Sequence, residues 1–226
     1  MGAKISCVIV CAGSGTRMGG VINKVFLPLG ESTVIDHTIN AVSQVEEISE
    51  IILVTRECDV LECMEHIKNT VKNIKIIKGG KTRQESVYLG LSCVKNSDIV
   101  LIHDGARALI LPENIKAVIE DAKKYDAATL GVSAKDTLKL VDSDGFIKET
   151  LDRDKIFQIQ TPQVFKTEKI LKAHEKAIKD GFLATDDCCL YEKYIGKVKV
   201  TEGRYDNIKL TTPDDMETAE NILKKR

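Results

Sequence analysis

The chain contains no apolar run near the roughly 18 residues that a membrane-spanning helix needs, so a spanning segment is not expected. It has almost no net charge: 33 basic and 34 acidic side chains leave −1 over 226 residues. Such a balance creates no global field for nucleic acid or a membrane surface, so any anion site must be local. No two of the four histidines stand in metal-ligand spacing, and none of the seven cysteines forms a C-x-x-C pair. Both absences argue against a structural zinc site. With only four prolines and 43% hydrophobic residues, the composition is that of a globular chain rather than a disordered one. The odd number of thiols points to a reducing compartment, the cytoplasm. Cys7, Cys11 and Cys93 lie in apolar stretches and read as small buried hydrophobes.

What is present is a rhythm. Continuous apolar runs at Ile5–Cys11, Glu50–Thr55, Ile74–Ile77, Ile99–His103 and Ala128–Val132 predict strands covered on both faces. The first of these could pose as a signal-peptide core, but a glycine-rich segment ends it abruptly. Met1 to Ser6 also fits the permissive myristoylation pattern; a buried first strand is the simpler reading. Between the runs, Ser32–Val45, Cys58–Asn69, Thr82–Val94 and Pro112–Tyr125 predict helices, the last with Pro112 in its first turn. Strands alternating with helices imply βαβ units and a mostly parallel sheet. After Val132 the rhythm breaks into an expected hairpin, Asp136–Val141 and Phe146–Leu151, around Ser143-Asp144-Gly145. The hairpin reads as charged and poor in core. It is either a solvated excursion or an arm that reaches a second subunit. A helix (Thr167–Lys179), a strand (Lys197–Thr201) and a closing helix (Pro213–Lys225) follow. Neither a repeat nor a linker stands out, so residues 1–226 are expected to form one domain with an arm at about 136–160.

The chemistry-bearing residues cluster at strand-to-helix junctions. Ala12-Gly13-Ser14-Gly15-Thr16-Arg17-Met18-Gly19 follows the first strand, where glycines let backbone N–H groups approach a phosphate. A dinucleotide fingerprint would need glycine at 18, and a Walker loop would need to end in Gly-Lys-Ser/Thr; neither is present. Two cations, Arg17 and Lys24, instead suit a triphosphate held while pyrophosphate leaves. Gly79-Gly80-Lys81-Thr82-Arg83-Gln84-Glu85-Ser86-Val87 could bond a base or ribose edge, or be an ordinary turn and helix cap. In His103-Asp104-Gly105-Ala106-Arg107 a carboxylate ends a parallel strand, above the crevice where such sheets bind ligands. It could hold Mg²⁺ or substrate hydroxyls, or merely pair with Arg107. Three polar segments read as loops: Arg153 to Gln163, Thr185-Asp186-Asp187, and Asp206 to Pro213, with Thr212 capping the last helix.

Taken in order, these motifs and Lys24-Val25-Phe26-Leu27-Pro28-Leu29 resemble the 2-C-methyl-D-erythritol 4-phosphate cytidylyltransferase family from Ile5 to about Leu223. The resemblance implies a doubly wound α/β sheet of the nucleotide-diphospho-sugar transferase type, and a homodimer joined through the arm. It implies CTP, a sugar-alcohol phosphate and a divalent cation, Mg²⁺, with neither nucleic acid nor membrane as partner. Arg17, Lys24, Arg153 and Lys209 are the expected catalytic residues, with Arg153 serving the neighbouring subunit's site. Ala12, Gly13, Gly15, Gly80, Lys81, Ser86 and Gly105 are expected to hold CTP. Asp104, Arg107, Thr161 and Thr185 are expected to hold the acceptor, and Asp104 is the candidate metal ligand. The family usually has proline before the loop lysine and glutamine after it, whereas this chain has Asn23 and Val25. It also has Ala108 where proline is usual, and Cys188-Cys189 where small residues are usual. Two other readings keep the same loops: transfer to ribitol 5-phosphate or another polyol phosphate, and a catalytically silent nucleotide-binding module.

Overall fold

The computed structural model describes residues 3–13, 23–68, 70 and 72–226. Among these residues, seven strands form the main sheet in the order β11-β7-β10-β6-β1-β4-β5. They are β1 (Ile5–Val10), β4 (Ile48–Thr55), β5 (Asn73–Lys78), β6 (Ile99–Asp104), β7 (Ala127–Ser133), β10 (Phe157–Lys166) and β11 (Lys199–Glu202). Short strands β2 (Pro28–Leu29) and β3 (Ser32–Thr33) make a small hairpin, and β8 (Lys139–Val141) and β9 (Ile147–Thr150) make another. The apolar runs that predicted strands are buried on both faces, as in Ile99–Asp104, where all six residues are buried. β1 pairs in parallel with both β4 and β6; β10 runs antiparallel between β6 and β7.

Among the described residues, seven α-helices cover the sheet: α1 (Val34–Ser43), α2 (Val60–Ile67), α3 (Arg83–Cys93), α4 (Pro112–Tyr125), α5 (Thr167–Asp180), α6 (Asp187–Tyr194) and α7 (Pro213–Leu223). One apolar layer joins Ile5, Cys7 and Ile9 of β1 to buried side chains of α1, α4 and α7. The opposite layer joins Val8 of the same strand to α3, α5 and α6. Alternation along one strand therefore feeds two cores, which is what a doubly wound sheet requires. Local signals set the helix ends. Thr33 with Asp36, and Thr212 with Asp215, form capping boxes, and Thr82 accepts from the Glu85 amide at the start of α3.

Two polar segments expected as loops are regular structure. Gln160-Thr161-Pro162-Gln163 lies inside β10, with a register shift between Ile159 and Gln163. Buried polar side chains are tolerated there because each is bonded: Gln160 to the Arg204 carbonyl, Gln163 to Asp186 and to the Asp187 and Cys188 amides. Asp186 caps α6 through the Cys189 amide, so Thr185-Asp186-Asp187 is a helix start. The arm is tied at its base by the Ala134 amide and the Ile156 carbonyl, so residues 157–160 belong to the sheet rather than to the arm. It is also less polar than expected: Phe146 is 72% and Ile147 63% exposed, with Leu140 and Val141 beside them.

Candidate active site

A cavity of about 400 Å³ opens at the C-terminal ends of β1 and β6. Strand connections depart in opposite directions from that point, β4 on one side of β1 and β6 on the other. Such switch points leave a crevice above the sheet. Of the expected site residues, Ala12, Gly13, Lys24, Gly80, Lys81, Ser86, Asp104 and Lys209 line it. Residues 99 to 104 carry Asp104 to the rim, and the next residue must turn sharply; a Cβ on Gly105 would collide with the Cys11 sulfur. Gly105 therefore shapes the turn from behind the wall. On the other rim, a Cβ on Gly79 would lie 2.5 Å from that of Ala12, so glycine lets the β5–α3 junction close on the β1 loop.

Lys24, Lys81, Arg83 and Lys209 face the cavity, and Asp104 is the one carboxylate among its described lining residues. Lys209 Nζ stands 2.7 Å from Asp104 Oδ2, and Arg83 Nε 3.1 Å from Oδ1. Burial alone would raise the Asp104 carboxyl, but Arg83 and Lys209 outweigh it and hold it well below the usual carboxylate range. Arg83 also donates to Asp187 at 2.8 Å, and Asp187 contacts His174 at 3.1 Å. Burial works against the Arg83 charge, yet Asp187 and Asp104 raise its pKa above the ordinary arginine value. Asp104 is further braced from behind: its amide donates to Thr161 Oγ1, 2.9 Å from His103 Nδ1. Burial pushes that imidazole down to about 4.

Other expected residues take different places. Thr161 is a buried support for Asp104, not a wall of the cavity. Arg107 sits 3.9 Å from Asp104 and donates to the Asn207 carbonyl at 2.7 Å; burial lowers its pKa. That bond, with the Leu210 amide on the Ala106 carbonyl, fixes the loop that presents Lys209. Ser86 accepts from the Gly80 amide at 3.0 Å and donates to the Thr82 carbonyl at 2.9 Å, so it closes the loop while lining the cavity. Thr185 is exposed outside the cavity lining. Arg153 lies on the arm, donating to the Lys135 carbonyl. Arg17 and Gly15 lie outside the described residues. Reading the motifs missed Arg83 as a site residue. The signal was available: Arg83 opens α3, where the helix dipole disfavours a cation, so its presence asks for anionic partners.

Among the described residues no group of three His, Cys, Asp or Glu side chains could hold a metal ion. A single carboxylate, both oxygens already facing cations, fits Mg²⁺ only where phosphates and water provide most of its ligands.

The match to known proteins spans the molecule. The model of the 2-C-methyl-D-erythritol 4-phosphate cytidylyltransferase family matches residues 5–225. The chain belongs to this family. A relative of that name from Caldanaerobacter subterraneus is 48% identical over 225 residues, covering 98% of this chain and 99% of the relative. One from Clostridium novyi is 44% identical over 98% and 97% of the two chains. Among solved structures, 4-diphosphocytidyl-2C-methyl-D-erythritol synthase from Anaerococcus prevotii is similar at a TM-score of 0.89 and 36% identity, over 98% and 99% of the chains. The family's fold is thus the fold seen here, with the cationic cavity at the switch point.

Proposed function

We propose that the cavity holds CTP and a sugar-alcohol phosphate together, and that the chain transfers CMP between them. The protein is a cytidylyltransferase of isoprenoid precursor biosynthesis. Its reaction joins 2-C-methyl-D-erythritol 4-phosphate to CTP, giving 4-diphosphocytidyl-2-C-methyl-D-erythritol and pyrophosphate. An oxygen of the acceptor phosphate attacks the α-phosphorus in line; the bond from that phosphorus to the β-bridging oxygen breaks, and pyrophosphate leaves with its electron pair. The acceptor phosphate has a second pKa of about 6, so it is already nucleophilic at pH 7 and needs no general base.

The observation that carries this reading is the charge of the cavity: four cations around one carboxylate that is itself held ionised. Two polyanions must meet there, and their repulsion is the barrier that fixed cations lower without rearranging. Lys24, with Arg17, is assigned to the triphosphate and its developing charge. Lys209 and Asp104 are assigned to the acceptor side, with Arg107 bracing the loop that presents Lys209, and the Ala12–Gly13 and Gly80–Ser86 rims to the nucleoside. Mg²⁺ carried by the phosphates, with Asp104 as the available protein carboxylate, would add charge neutralisation.

The arm reading follows from its surface. Phe146, Ile147, Leu140 and Val141 are exposed in the single chain, as are Phe157 and Ile159 at the start of β10. A second copy covers these side chains through a two-fold contact and brings Arg153 to the neighbouring cavity. Residues 1–226 then work as one cytidylyltransferase domain per subunit. The cytoplasm suits the seven free cysteines. No helix among the described residues is long and apolar enough to cross a membrane.

Pyrophosphate release tests the reading. CTP with 2-C-methyl-D-erythritol 4-phosphate should turn over clearly faster than UTP or ATP with the same acceptor. Equal rates with several nucleotides would remove the cytidine assignment. A rate with ribitol 5-phosphate but none with the branched acceptor would move the protein to a polyol-phosphate cytidylyltransferase.

A further inference from the structure

Lys24 begins a short 3₁₀ turn, Lys24–Phe26, and the residue before it is buried at 1% exposure. That residue, Asn23, uses both ends of its amide. Its Nδ2 donates to the Cys11 carbonyl at 2.8 Å and to Asp59 Oδ2 at 2.9 Å, while its Oδ1 accepts from the Val25 amide at 3.4 Å. Cys11 directly follows β1, and Asp59 directly precedes α2. One side chain therefore ties the turn that presents Lys24 to two fixed parts of the fold. The anchor is itself locked: Arg56 grips both oxygens of Asp59, at 2.6 and 2.8 Å. Burial opposes the Asp59 charge, but Arg56 and Asn23 outweigh it and keep the carboxyl below its ordinary range. At the other end of the turn, Phe26 stacks on His66 with ring centres 5.4 Å apart, and His66 Nδ1 is 2.9 Å from Asp36.

The backbone gives the reason for so much bonding. Asn23 has φ −64°, close to the angle that a proline ring imposes covalently. We infer that Asn23, anchored on Asp59, is a positioning residue for Lys24 that sets by hydrogen bonds the backbone angle a proline would set by its ring. The inference rests on the proposed cytidylyltransfer, in which Lys24 acts on developing charge. A fixed cation of that kind loses its effect when displaced by about 1 Å.

The test measures steady-state pyrophosphate release over a range of CTP concentrations, separating kcat from KM, alongside thermal melts. Asn23→Ala should lower kcat about tenfold or more with little change in KM for CTP, and Asp59→Asn should do the same through Asn23. Asn23→Pro should recover most of the lost kcat. In a Lys24→Ala background, Asn23→Ala should lower the melting temperature as it does in the parent but leave kcat within about twofold. A merely structural Asn23 would give the opposite pattern: an equal loss of kcat with and without Lys24, or lower melting with kcat unchanged. Either result overturns the inference, as does Asn23→Pro falling to the level of Asn23→Ala. A parent protein that releases no pyrophosphate would instead fail the proposed function, so the two failures are distinguishable.

Discussion

The cavity and the arm solve opposite problems with the same chain. At the cavity, charges are buried and answered from within: Asp104 by Lys209 and Arg83, Arg83 again by Asp187, and Asp187 by His174. On the arm, apolar side chains stand in solvent, with Phe146 72% exposed. The first region spends folding energy to preorganise cations before substrate arrives. The second leaves apolar surface in solvent, which the proposed second subunit would cover. Changes at the cavity should therefore register in stability and catalysis within one subunit, and changes on the arm in association.

That contrast can be broken from either side. The largest effect is expected at the buried anchor. Asp187→Ala leaves Arg83 short of an anionic partner and should cost about 3 kcal/mol of folding free energy, read by urea denaturation. Lys24→Ala should leave stability near that of the parent and cut kcat by about 10²-fold or more, read by pyrophosphate release. Weaker CTP binding with unchanged kcat would count against its role. On the arm, Phe146→Ser should weaken dimerisation about tenfold or more, read by sedimentation, while the denaturation of dissociated subunits stays put.

The cavity side can also be sharpened through pH. Burial depresses the folded His103 pKa to about 4, against about 6.5 when unfolded. Below pH 6.5 the unfolded chain takes up a proton that the folded chain refuses, so stability falls with falling pH until about 4. The slope from this group is about 1.4 kcal/mol per pH unit, and the term is absent above 6.5. His103→Gln should shrink the stability difference between pH 7 and pH 5 by about 2 kcal/mol, read by urea denaturation at the two pH values.

How legible each region was follows from the same contrast. Strands such as Ile99–Asp104 announce themselves because both faces are buried, and the motif residues fall at their ends because parallel strands all deliver chain to one edge. The strand β10 hid, since Gln160, Thr161 and Gln163 are polar; their bonds to Arg204, Asp104 and Asp186 are long-range and leave no local pattern. Arg83 hid for the same reason, its partners lying 21 and 104 residues away. The arm was recognisable as a hairpin from its turn residues, but its charged residues masked how much apolar surface the pairing of β8 with β9 leaves outward. Arg107, Thr161 and Gly105 illustrate a further limit of motif reading: they belong to the site's motif, yet they shape and brace the wall rather than face the cavity.

The central claim is that the cavity of one subunit and the arm of another make one reaction centre. Lys24→Ala and Arg153→Ala homodimers should each be nearly inactive. Unfolded and refolded together in equal amounts, about half the dimers are mixed. In each mixed dimer one site collects both defects and the other neither, so roughly a quarter of all sites should regain full activity. A preparation shown to contain mixed dimers that stays inactive would contradict the shared site and return Arg153 to its own subunit.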